Sequence, residues 1–197
     1  MSVVLNMNCT KSSTKIHLLA KECLFGNKRA TSSVFRDVIG LYELDHVAIA
    51  AVNKKQEIIF LSHTPSMEYN LITSDLWRYD GSYLPSFYGE PDCVEWRALY
   101  DSSHFHELTH IKQVKTGFTE GISVSVKHED IHLIFSFATK SKDASAEDTL
   151  YHQQKQLTQI GWYCFQRFTD ILASYLGVSS RPSYLKLVVN NEGAHRV

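Results

Sequence analysis

No apolar run in the chain approaches the roughly 20 residues that a membrane-crossing helix needs. The first residues, MSVVLNMNCTKSSTKIHLL, lack the basic start, long apolar stretch and small-residue cleavage site of a secretory signal. A cytoplasmic location away from membranes is the expectation. Cysteines are few: Cys9, Cys23, Cys93 and Cys164 stand far apart with no CxxC pair. They read as reduced, buried thiols rather than metal or redox motifs. Charge of one sign is lacking too, since 20 Lys and Arg meet 21 Asp and Glu for a net charge of -1. No whole-chain field steers such a protein to nucleic acid. Internal repeats and low-complexity segments are absent as well.

What is present is an ordinary globular composition, 44% hydrophobic and 21% charged over 197 residues, enough for one domain with a sizeable core. Periodicity predicts a helix over 11–25, with Ile16, Leu19, Cys23 and Leu24 on one side and Gly26 as its stop. A second helix is expected from Ser32 or Ser33, carrying Val34, Phe35, Val38, Ile39 and Tyr42. The period then shortens: DHVAIAAV (45–52) and EIIFLS (57–62), separated by NKKQ, read as a hairpin. Residues 63–103 combine Pro, Gly and many aromatics and read as short helices broken by loops. A helix near 103–115 leads to a second hairpin, GISVSVK (121–127) and IHLIFSFAT (131–139), across the turn HED. The longest helix spans 149–176, with Leu150, Leu157, Ile160, Cys164, Phe168, Ile171 and Tyr175 in its stripe and Gly177 as its end. Residues 177–197 form a tail or one added edge strand. This order predicts an α+β fold, an α/β/α sandwich whose central antiparallel sheet has helices on both faces.

One motif is conspicuous. HELTH, within His104–His110, matches HExxH, in which two histidines on one helical face bind zinc and the intervening Glu activates its water. His106 and His110 would be the ligands and Glu107 the base of a metallopeptidase. The third ligand is missing at the usual places: Gln113 and Thr116 stand where Gly and His would follow, and Glu129 falls in a turn between strands. Neither a metal nor an organic cofactor is expected, and the peptidase is kept as the alternative.

The segment GFTEGISVSVKHEDIHLIFSFAT, 117–139, resembles the strand pair of the LuxR-type autoinducer-binding domain, in which a Gly-rich entry follows a helix. Gly117, Phe118, Gly121, Ile122 and Ser123 carry the likeness. Upstream, LDHVAIAAVNKKQEIIFLSHTP is similar to that family's first hairpin, with Thr64-Pro65 at its closing step. The resemblance spans roughly 15–176 and implies a sensor-like domain over 1–176 that binds an acyl-homoserine-lactone-like molecule between the sheet and the aromatic-rich helices. It implies no catalysis. The family's pocket aromatics fall on Trp77, Tyr79, Tyr83 and Trp96, and its polar strand residue on Ser136. Its Asp-Pro step is met by the reversed pair Pro91-Asp92, which adds Asp92. The same aromatics also suit plain core packing, and both readings stand at this point. Alternation places Ser136 on the face opposite Phe135 and Phe137. Family regulators add a helix-turn-helix, and 177–197 holds no basic helix pair. The implied role is a signal sensor in quorum-sensing transcription control without direct DNA contact. Its partners would be a small amphipathic signal molecule and either a second copy or a full-length regulator. The surplus apolar surface near Trp162, Tyr163 and Phe165 points to a dimer through the long helix.

Overall fold

The computed structural model describes residues 14–90, 92–141 and 150–176. Six strands form one sheet in the order β1-β3-β2-β6-β5-β4. They are β1 (Lys15–Ile16), β2 (His46–Val52), β3 (Glu57–Ser62), β4 (Asp92–Glu95), β5 (Glu120–His128) and β6 (Ile131–Thr139). All pairings are antiparallel except β1 with β3. Both expected hairpins are present. The second turns tightly at Glu129, which holds a left-handed backbone (φ 50°).

Seven α-helices accompany the sheet among the described residues: α1 (Ala20–Gly26), α2 (Lys28–Arg36), α3 (Pro65–Thr73), α4 (Pro85–Tyr88), α5 (Trp96–Leu99), α6 (Phe105–Thr109) and α7 (Gln154–Leu176). The fold class is the expected α+β. Several boundaries differ from the pattern reading. The start of the expected 11–25 helix is instead β1: Lys15 N–H donates to Gln56 O (2.7 Å) and His17 N–H to Ile58 O (2.9 Å). Edge pairing with β3 satisfies those donors, so the helix starts only at Ala20. The second helix begins at Lys28, ahead of the expected serine caps, and holds Ser32 and Ser33 in its interior. The short strand β4 went unread because its four residues carry no alternation strong enough to mark it. The long helix is regular from Gln154, and Leu176 is its last described residue. The tail 177–197, with the edge strand expected there, and Cys9 lie outside the described residues.

Directly opposed residues of antiparallel strands share a face. One face therefore carries Ile49, Phe135 and Val124 in a row, with Val47, Phe137 and Ile122 beside them. Helix α7 covers it. A side chain at Gly161 would run into the Phe135 ring, so that glycine is what lets the helix approach the sheet. Trp162 stands edge-on to Phe135 (5.7 Å) and to Phe165 (5.7 Å), and Phe35 of α2 meets Phe168 (5.1 Å). Phe165 and Phe168 of α7 are thus packed inside the fold, and Trp162 lies half-buried against it. Tyr163 stays partly exposed and donates its hydroxyl to Asp37 (2.8 Å).

The other face has small residues at its centre: Ala48 beside Ser136, Ser136 beside Ser123, and Ala138 beside Gly121. That shallow floor makes room for bulky side chains from 63–118. Tyr83 meets Phe60 edge-on (5.3 Å), and Tyr88 lies against His132 (5.2 Å). With both faces covered, every residue of β2 is buried.

Candidate functional site

A polar centre is buried on the small-residue face. Asp80 lies between two 3-10 turns, Leu76–Tyr79 and Gly81–Tyr83. Its Oδ1 accepts from Ser82 N–H (3.0 Å) and from the Ser82 hydroxyl (2.7 Å). Its Oδ2 accepts from Lys112 Nζ (2.7 Å), and both ends of this ion pair are buried. Ser82 Oγ pairs with Ser123 Oγ (3.1 Å), which pairs with Ser136 Oγ (3.2 Å). A hydrogen-bonded chain therefore runs from Lys112, in the turn after α6, through the aromatic segment to the floor of the sheet.

Helix geometry delivers Lys112. After α6 the chain widens into a π-helical turn, His110–Val114, in which Ile111, Lys112 and Gln113 are all buried. Such turns recur at functional sites because they re-aim side chains that a regular helix would send elsewhere. The Lys112 ammonium lies over Trp96 (4.0 Å to the ring centre) and near Tyr100 (5.3 Å). Burial draws Lys112 below its ordinary pKa against the hold of Asp80. Burial, followed by the charge of Asp80, raises the phenols of Tyr83 and Tyr100.

Beside this chain sit His46 and Glu68, buried and 3.8 Å apart. Burial, with His63 and Lys112 adding to it, lowers His46 to about 3. Burial pushes Glu68 up to about 7, against Ser62 and Lys112, which favour the charged form. His46 Nδ1 pairs with Thr64 Oγ1 (3.2 Å). His46 Nε2, both Glu68 oxygens, Trp96 Nε1 and the Tyr100 hydroxyl have no hydrogen-bond partner of good geometry. Such orphans are rare in a core and concentrate where a ligand or water is to be held.

Of the expected site residues, Trp96 and Ser136 meet at this centre, and Tyr83 borders it. Gly121 explains how Trp96 gets there, since a side chain at that position would collide with the indole. Trp77 is buried, but its N–H donates to Asp75 (3.1 Å), away from the centre. Tyr79 stacks on His104 (3.6 Å) towards the surface. Asp92 is exposed at the sheet edge, where its N–H donates to Ser125 Oγ (2.8 Å). Sequence reasoning missed Asp80, Ser82, Lys112, Ser123, His46 and Glu68. Two signals were available: Lys112 follows the buried Leu108 by one turn, and Ser123 alternates with Ile122 and Val124.

The HELTH helix turns Leu108 inward, while His106, Glu107 and His110 are exposed. Among the described residues no three His, Cys, Asp or Glu side chains are grouped to hold a metal ion. The peptidase reading gains no support. Cys23, Cys93 and Cys164 are buried free thiols, raised to about 12, 11 and 12 by burial. No described helix is long and apolar enough to cross a membrane.

The architecture is that of the LuxR-type autoinducer-binding domains, the fold that 117–139 led us to expect. The chain is similar to CepR2 of Burkholderia cenocepacia, described as an N-acylhomoserine-lactone-dependent LuxR family transcription factor. Identity is 12%, coverage is 74% of this chain and 99% of that one, and the TM-score is 0.50. It is also similar to SdiA in complex with octanoyl-rac-glycerol (11% identity, 82% and 80% coverage, TM-score 0.49). A third similar structure is the VqsR LBD domain of Pseudomonas aeruginosa (11% identity, 76% and 93% coverage, TM-score 0.43). At these identities the likeness is one of fold. No protein-family model and no curated protein matches the chain.

Proposed function

We propose that the chain is a signal-binding regulatory domain, not an enzyme, and that it takes a small amphipathic molecule of the acyl-homoserine-lactone kind on the small-residue face of the sheet. The observation that carries this reading is the buried polar centre, where Trp96 Nε1, the Tyr100 hydroxyl and the Glu68 carboxyl make no hydrogen bond of good geometry beside the Asp80–Lys112 pair. A ligand head with donors and acceptors would satisfy them, and its acyl chain would lie along the aromatics. Trp96 and Ser136 would approach the head and Tyr83 would wall the chain, while Trp77, Tyr79 and Asp92 lie away from this centre. The shared fold with CepR2, whose description names a lactone ligand, supports the same class. The domain would work in the cytoplasm and report occupancy to a second copy or to a full-length regulator.

The test is a melting-temperature titration with lactones of short to long acyl chain. A ligand that binds only the folded state raises stability by RT ln(1 + [L]/Kd), so a dose-dependent rise is expected. A flat response across the whole panel refutes the reading.

A further inference from the structure

The same centre is already filled from within. The Lys112 ammonium, held by Asp80 at 2.7 Å, lies against the rings of Trp96 and Tyr100, whose own polar atoms make no hydrogen bond of good geometry. We propose that Lys112 is a tethered occupant of the signal site: its ammonium takes the place of a ligand head, and an entering ligand displaces it. This deepens the functional reading above and rests on it.

Three features argue for an occupant rather than a fixed strut. An ammonium has three donors, and among the described residues its hydrogen bonding is limited to Asp80; Trp96 and Tyr100 offer it ring faces, and Glu68 acts on it through charge alone. A buried ion pair retained only for stability gains little over an apolar pair unless its remaining donors are satisfied. The second feature is the backbone that carries it. The π-helical turn is the wide, less regular part of its helix, and it leads to Gly117, whose φ of +76° and open surroundings suit a pivot. Free volume on both sides is the third. A cleft of about 480 Å³ lies between Ile111 and Thr116 on one side and Thr64 and, on α3, Met67 on the other. A second cleft, of about 380 Å³, is lined by Gln113, Thr109, Phe118 and Arg97. The turn thus stands between two openings, with Lys112 pointing inward from it. When Lys112 leaves, Asp80 Oδ2 needs a new donor, so the displacing head carries an N–H or O–H group.

The experiment uses the whole chain with Lys112→Ala. Its melting temperature is expected to fall and to be restored by ethylammonium chloride but not by propanol or sodium chloride at equal concentration. The rescue should disappear in Asp80→Asn/Lys112→Ala. Absence of rescue, or equal rescue by the alcohol, overturns the proposal. Removing the occupant also removes a competitor, so Lys112→Ala should bind a lactone roughly tenfold more tightly than the parent chain. Equal binding by both overturns displacement while leaving the signal-binding reading intact. Failure of every lactone on both chains sinks the signal-binding reading and the occupant proposal with it. If Lys112→Ala does not fold even with the amine, Lys112→Gln leaves Asp80 intact with a neutral donor in place of the ammonium, an occupant that is more easily displaced. It too should bind lactone more tightly than the parent, and equal or weaker binding overturns the proposal.

Discussion

Glu68 on α3 and His46 at the start of β2 face each other 3.8 Å apart, both buried and both holding their neutral forms through burial. Their effects on stability have opposite signs. Glu68 has its pKa raised from 4.5 to about 7, so between those values the folded state holds a proton that the unfolded state releases. Stability contributed by this group is present below pH 4.5 and is lost as pH rises to about 7. His46 is lowered from 6.5 to about 3, so its contribution is present above pH 6.5 and is lost as pH falls towards 3. Where the windows overlap the two cancel. Glu68→Gln removes the first effect alone. Urea unfolding across the pH range should show the parent losing about 3 kcal/mol relative to Glu68→Gln between acid and mildly alkaline solution. A difference that stays constant with pH would show that Glu68 is not held neutral.

Ser123 is the middle link between Ser82 and Ser136 and is fully buried. Ser136→Ala removes an end of the chain, and Ser123 keeps its bond to Ser82; a loss near 1 kcal/mol is expected. Ser123→Ala leaves Ser136 without its bond on the sheet floor, so its cost should be larger, about 2–3 kcal/mol. Chemical denaturation of the two variants checks the order. Equal costs would mean that the hydroxyls do not act as one chain.

Gly121 lies under Trp96 with no room for a side chain. Alanine there must push the indole off the sheet, and with it the ring on which the Lys112 ammonium rests. Such overpacking typically costs about 1–3 kcal/mol. Gly121→Ala should also shift the fluorescence of Trp96, read in a background where Trp77 and Trp162 are replaced by Phe. Unchanged emission at unchanged stability would show that the collision is relieved elsewhere.

These residues also show how far the sequence could be read. The hairpins were legible because β2, β3, β5 and β6 are apolar, β-branched runs bounded by polar turns, and α7 because its stripe keeps a helical period over many residues. The glycine-rich entry carried the family likeness for a physical reason that emerges in three dimensions: Gly117 needs positive φ, and Gly121 needs to have no side chain. The start of the chain misled because edge pairing with β3, a long-range contact, decides between strand and helix there. The ion pair was illegible for a similar reason. Asp80 and Lys112 are 32 residues apart, and each looks like an ordinary surface charge until the π-helical turn rotates one of them inward. HELTH spells a metal site on a face that points to solvent, and the peptidase kept as the alternative gains no support there.

Trp162 separates two views of α7. The sequence reading gave its aromatic edge to a partner subunit, whereas the indole packs against Phe135, Phe165 and His128 of its own chain. If its role is internal, Trp162→Ala removes core contacts and should cost about 3 kcal/mol of unfolding free energy at any protein concentration. If instead the ring seats a second copy, stability should depend on protein concentration in the parent and lose that dependence in the variant. Packing favours the first outcome, because Phe135 also needs Gly161 beneath the helix and would be uncovered if α7 turned outward. Denaturation at two concentrations, with sedimentation of parent and variant, decides between them. A dimer that dissociates on Trp162→Ala without loss of monomer stability would assign this edge of the helix to an interface.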